Sequence, residues 1–103
     1  QRLAVTSRAY HAQALAPFLE KLVEVAGLGS DARVLPASGG AESVETAIKA
    51  ARRWGYRVKG IGADRAQIVV ARNNFHGRTT TIVGFSSDAA YRADFGPFAP
   101  GFV

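Results

Sequence analysis

The sequence predicts part of an α/β layered fold, a mainly parallel sheet with flanking helices. Three observations lead there: an amphipathic stretch at 41–54, a β-branched run at 66–71, and a loop after that run which opens onto a second apolar segment. The expected order is helix, turn, helix, strand, loop, helix.

Residues 7–26 read as helical. Leu15, Leu19, Leu22, Val23 and Ala26 recur at helical spacing, and Gly27 is a natural stop. Pro17 has to begin or break a helix, so the main part is expected from about 17 to 26. "ARVLP" at 32–36 is brief and apolar, either a short strand or an extended lead-in. In the stretch 41–54, Val44, Ala47, Ile48 and Ala51 make one apolar stripe, with Lys49, Arg52 and Arg53 mostly off it. Glu42 and Glu45 near its start and basic residues near its end suit the helix dipole. "GYRVKGIGADR" at 55–65 is a turn-rich link, and "AQIVVA" at 66–71 a buried strand. "RNNFHGRTTTIVGFSS" follows, then the Pro/Gly/aromatic loop "YRADFGPFAPGF" at 91–102.

Composition narrows the classes. At 103 residues with 48% hydrophobic content, the chain is at most one domain with a real core, and no disordered tail. The net charge is +5, yet the basic residues are scattered and only Arg52–Arg53 are adjacent, so no nucleic-acid partner is expected. There is no cysteine, which excludes disulfides, zinc–thiolate sites and Cys nucleophiles. His76 is one of two histidines and no carboxylates cluster around it, so no metal site is expected. No apolar run approaches membrane-spanning length and no secretory signal opens the chain, which predicts a cytoplasmic protein with no membrane partner. Both ends read as cut from something longer.

Two stretches carry chemistry. "PASGGAESVET" at 36–46 feeds two glycines into a helix start. A helix boundary needs one cap, and Ser38 can supply it. The extra glycine removes a Cβ where an anion would approach unpaired amides at the positive end of the dipole. No Gly-Lys-Ser/Thr follows and no G-x-G-x-x-G is present, so this is neither a Walker loop nor a dinucleotide fingerprint. A simple capped turn is the plain alternative. "NNFHGRT" at 73–79 lies just past the C-terminal end of the expected strand, the edge where parallel α/β sheets bind ligands. Phe75 there is a candidate stacking platform and Arg78 a candidate carboxylate clamp. Their plain alternatives are a core phenylalanine and a solvated arginine.

Together, "SGGAESVETAIKAAR" and, some thirty residues on, "NNFHGRT" resemble the class III aminotransferases, pyridoxal 5'-phosphate (PLP) enzymes of fold type I. "RRWGYRVKGI" and the closing "FGPFAPGF" resemble the ornithine branch more than the acetylornithine and 4-aminobutyrate branches. His76 departs from that branch, where Trp is usual, and matches the residue commoner in the acetylornithine branch. The resemblance runs from about Thr6 to Phe102 and corresponds to the early part of the large cofactor-binding domain, so residues 1–103 are expected to be an incomplete domain.

The resemblance implies roles. Gly40 and Ala41 would give backbone N–H groups to the cofactor phosphate, Phe75 would lie against one face of its ring, and Arg78 would bind a substrate carboxylate. Gly39 stands where the family often has Ser or Thr. Glu42 would support the helix start electrostatically. The parent protein would move the δ-amino group of ornithine to 2-oxoglutarate and act as a homodimer or higher homo-oligomer, in the cytoplasm or, in a eukaryote, the mitochondrial matrix. Lys21, Lys49 and Lys59 match no Schiff-base position, so the catalytic lysine is expected beyond this chain and the chain alone to be inactive. An acetylornithine-type aminotransferase, a non-catalytic anion-binding module and an interaction protein are the alternatives.

Overall fold

The computed structural model describes residues 12–103. The chain divides into two compact units, Gln1–Pro36 and Ala37–Val103. The first contains helix α1, Leu15–Ala26. It begins two residues before Pro17, because a first-turn N–H has no intrahelical partner to lose. Leu15, Leu19 and Val23, a single row at four-residue spacing, are its half-buried residues. The stop is as expected: Gly27 takes the left-handed conformation at φ 63° and returns its N–H to Glu24. Residues 7–11, which the sequence also assigned to this helix, lie outside the described residues. Residues 32–36 form no strand and serve as a lead-in.

The second unit is built on α2, Gly40–Arg57. It runs three residues past the expected end at 54, straight through Gly55. Tertiary packing overrides the glycine here: Gly55 is buried, with Ile61 so close that a Cβ would sit 3.2 Å from its Cδ1. The next residue, Tyr56, uses its hydroxyl to accept the Ala66 N–H. The apolar stripe of α2 faces the core. Ile48, Ile82 and Phe85 form the buried centre, and Ala41, Val44, Ile68, Val70 and Phe102 pack around it. Ile82 and Phe85 come from the second apolar segment. That segment forms the short helix α3, Thr80–Gly84, and is followed by α4, Ala89–Arg92, capped by the Asp88 carboxylate accepting from Ala90 N–H.

The expected parallel sheet is the main departure. Among the described residues, the run 66–71 makes one isolated parallel bridge, Ile68 to Phe102. Its hydrogen bonds are Ile68 N–H to Gly101 O (2.9 Å), Val103 N–H to Ile68 O (3.1 Å) and Val70 N–H to Val103 O (2.8 Å). The polarity is the predicted one, but the ladder is too short to be a strand. A parallel strand is stabilised by neighbours on both edges and layers on both faces. Val69 remains 82% exposed, so this run has a core on one side only. No helix among the described residues is long and apolar enough to cross a membrane.

Candidate functional site

Gly39 is the N-cap of α2, in an extended conformation, and no side chain caps the helix. Ser38 does not act as the cap the sequence suggested. Its backbone N–H instead donates to the Glu42 carboxylate at 2.6 Å. Glu42 thereby ties the incoming chain to the first turn and places a negative charge at the positive end of the dipole. Ser43 closes the turn from the other side, donating to Gly39 O from both its amide (3.0 Å) and its hydroxyl (3.1 Å). The first-turn N–H groups, from Gly40 and Ala41 onward, are left without intrahelical acceptors. A Cβ added at Gly39 or Gly40 would meet nothing within 4 Å. The two glycines therefore face open space at the positive end of the helix dipole.

The loop at 73–79 is fixed against this helix end. Gly77, at φ 127°, lies so close that a Cβ would stand 2.7 Å from the Cβ of Ala41. Only glycine satisfies both the left-handed backbone and the contact. Thr79, the N-cap of α3, donates its hydroxyl to Glu45, one turn along α2 from Ala41. Upstream, the Asn74 side-chain amide donates to Ala71 O (2.7 Å) and Phe85 O (3.2 Å). The Asn73 N–H donates to Ser87 Oγ at 2.7 Å. Sequence positions 40–41 and 75–78 thus share one corner of the second unit.

Phe75 is 63% exposed among the described residues. Its ring meets the ring of Tyr91 edge-on, with centroids 6.1 Å apart. The Arg78 guanidinium lies 6.0 Å from the Phe75 centroid and 5.3 Å from that of Tyr91. Arg78 sits in the loop before Thr79 and α3, not in the helical turn itself. It has no ion pair; the salt bridge among the described residues is Lys21–Glu24 on α1. With Thr80, Val83, Ala90, Tyr91 and Phe95, Arg78 lines a cavity of about 370 Å³. An unpaired cation on a largely apolar wall is suited to a carboxylate. The His76 ring packs on Phe85, with ring centroids 5.9 Å apart. No group of three or more potential metal ligands occurs among the described residues.

Sequence reasoning missed Tyr91, Gly77 and the Thr79–Glu45 pair. Tyr91 opens what read as a Pro/Gly/aromatic loop, and nothing local signals that its ring comes within 5.3 Å of the Arg78 guanidinium. The second glutamate of "AESVE" was legible only as dipole complement.

The family model for class III aminotransferases matches residues 1–103. The ornithine aminotransferase of Bordetella pertussis is 54% identical over 103 residues, covering 100% of this chain and 24% of that protein. The ornithine aminotransferase of Macrococcus caseolyticus is 50% identical over 101 residues, covering 98% and 25%. The crystal structure of ornithine aminotransferase from Toxoplasma gondii superposes with a TM-score of 0.86 at 39% identity, covering 99% of this chain and 24% of that one. A second structure of the Toxoplasma gondii enzyme is described as having partial occupancy of PLP at its active site. The chain therefore spans about a quarter of the length of the relatives it matches.

Proposed function

The chain belongs to the class III aminotransferase family, and from that premise we propose that it carries the phosphate cradle, one ring wall and one carboxylate clamp of a PLP-dependent ornithine aminotransferase. The complete protein then moves the δ-amino group of ornithine to 2-oxoglutarate. Identities of 50–54% to proteins of that name, over nearly all of this chain, support the substrate assignment.

The observation that carries the reading is the seating of Gly77 on Ala41. It brings the loop that carries Phe75 and Arg78 onto the first turn of α2, which supports a site shared by the two. Bound PLP supplies the electron sink for amino-group chemistry, and the protein supplies binding and orientation. Gly40 and Ala41 donate backbone N–H groups to its phosphate, and the dipole of α2 adds to the attraction. The Phe75 ring limits the tilt of the cofactor ring and excludes water from that face. Arg78 pairs in a planar fork with a substrate carboxylate and sets the distance of the reacting amino or keto carbon from the cofactor. Proton transfer belongs to a lysine outside this chain. A homodimer or larger homo-oligomer is the expected working form, read out by sedimentation of the complete protein.

Arg78→Ala in the complete protein tests the reading. Truncating one partner of a desolvated charge pair costs about 2–5 kcal/mol, or roughly 30- to several-thousand-fold. The loss is expected in kcat/KM for ornithine or 2-oxoglutarate, with cofactor absorbance retained. Arg78→Lys recovers part of it, because an ammonium lacks the fork. Phe75→Ala loosens the cofactor instead. Release of the cofactor by Arg78→Ala, with carboxylate recognition intact, would show that the two roles are misassigned. A higher kcat/KM for N-acetylornithine than for ornithine would overturn the substrate.

A further inference from the structure

Arg78 is the proposed carboxylate ligand, yet no acidic group among the described residues pairs with it. A long side chain held by nothing would lose much of its binding free energy to rotamer freedom. Two aromatic rings lie within cation–π range, and the nearer is Tyr91, at 5.3 Å against 6.0 Å for Phe75. The proposed cofactor ring occupies Phe75, which leaves Tyr91 to hold the guanidinium.

The position of Tyr91 is itself built. It lies on α4, whose first turn is capped by Asp88 accepting from Ala90 N–H at 2.8 Å. The Asp88 N–H donates in turn to Ser86 Oγ at 3.3 Å, and the neighbouring Ser87 takes the Asn73 N–H at 2.7 Å. The Asn73–Ser87 bond ties the loop that carries Arg78 to the turn that carries Tyr91. Tyr91 is also the less exposed of the two rings, at 37% against 63% for Phe75. A guanidinium held over a ring by cation–π attraction uses none of its N–H donors, which stay available for a carboxylate.

From this geometry we infer that Tyr91 is a positioning residue, whose ring face holds the Arg78 guanidinium ready for the substrate carboxylate. The inference rests on the reading of Arg78 as the clamp and adds a determinant to it. The ring does the holding, so the phenolic hydroxyl is dispensable.

The test uses the complete holoenzyme and glutarate, a dicarboxylate with no amino or keto group to react. Tyr91→Phe is expected to leave the glutarate Kd and the KM for 2-oxoglutarate within about twofold, because the ring face remains. Tyr91→Leu is expected to raise both by roughly 2- to 30-fold, the range of a cation–π contact. kcat and cofactor absorbance should hold, as for loss of uniform binding. Tyr91→Gln, also ringless, is the second variant should Tyr91→Leu fold poorly. In an Arg78→Ala background the same ring removal is expected to change the glutarate Kd by less than about twofold, since the partner is gone. A ring-removal loss that persists undiminished in that background would mean a general structural role and overturn the inference. Equal losses for Tyr91→Phe and Tyr91→Leu would move the role to the hydroxyl and overturn it too. If Arg78→Ala weakens glutarate and ring removal does not, the inference falls and the clamp stands. If Arg78→Ala leaves glutarate binding unchanged, the clamp reading fails and takes the inference with it.

Discussion

Helix α2 and the run 66–71 share one core but differ in how they are completed. The helix satisfies its backbone within itself over 18 residues and leaves only its ends open. The run 66–71 has to borrow every backbone partner, and finds Gly101 and Val103 on one side. The helix is therefore whole in a chain that spans a quarter of its relatives' length, while the strand is reduced to a bridge. An element closed by local hydrogen bonds survives isolation; one closed by distant segments does not. The open end of α2 is also where the proposed chemistry lies. In the proposed reading the unpaired amides of α2 are left for a ligand, whereas the unpaired groups of 66–71 are left by a missing ladder.

The largest expected effect probes what the two regions share. Ile82 is 1% exposed and joins Ile48 and Phe85 at the point where α2, Ile68 and Phe102 meet. Ile82→Ala is expected to cost about 2–5 kcal/mol, measured by urea denaturation of the complete protein. Val69→Ala then separates the regions. In this chain alone, where Val69 is 82% exposed, it should move stability by less than about 0.5 kcal/mol. In the complete protein, with neighbouring strands and layers present, it should cost about 1–2 kcal/mol, the transfer and cavity terms of a buried valine. Equal small effects in both would mean that 66–71 is a surface segment and not an interrupted sheet strand.

A middling effect is expected at Gly77. Alanine there is strained at φ 127° and collides with Ala41, at 2.7 Å between Cβ atoms. The cost should be on the order of 1–3 kcal/mol, read as a lower Tm. The collision also pushes the 75–78 loop off the helix end, so PLP affinity should fall with stability. Unchanged PLP affinity beside a lowered Tm would mean that the loop and the cradle act independently.

What the sequence disclosed follows the same division. The start of α2, the Gly27 stop and the first-turn role of Glu42 were legible because each depends on residues within a few positions, whereas the end of α2 was not, because Gly55 is held in the helix by packing against Ile61. The extended run at 66–71 was legible from its β-branched content, and the parallel sense of its one bridge agrees with the order of elements. Its lack of strand partners was not, because no local pattern shows which distant segments come to lie beside it. At the site, Phe75 and Arg78 were named from residue type and from their place beyond a strand. Tyr91 stayed hidden because its approach to Arg78 depends on the bend at 85–88 and on the Asn73–Ser87 bond. Ser38 was misjudged as a cap because the pattern shows a hydroxyl at the right spacing but not which atom of the residue faces the turn.

The smallest effect on stability is expected at Gly40, and its sign carries the information. Gly40 is the first residue of α2, and an added Cβ would meet no atom within 4 Å. Were the glycine there for folding, Gly40→Ala would destabilise. Nothing in the local packing opposes the methyl group, and alanine is the better helix former. The substitution should therefore raise stability by a few tenths of a kcal/mol, up to about 1 kcal/mol. In the proposed reading the same methyl group stands at the residue whose amide would meet the phosphate. PLP affinity, measured by titrating the apo form of the complete protein, should fall while the Tm of that apo form holds or rises. Opposite movements of the two quantities identify the glycine as serving the ligand. If stability and affinity fell together, Gly40 would be a structural requirement of the turn, and the open end of α2 would lose its strongest claim to be a cradle.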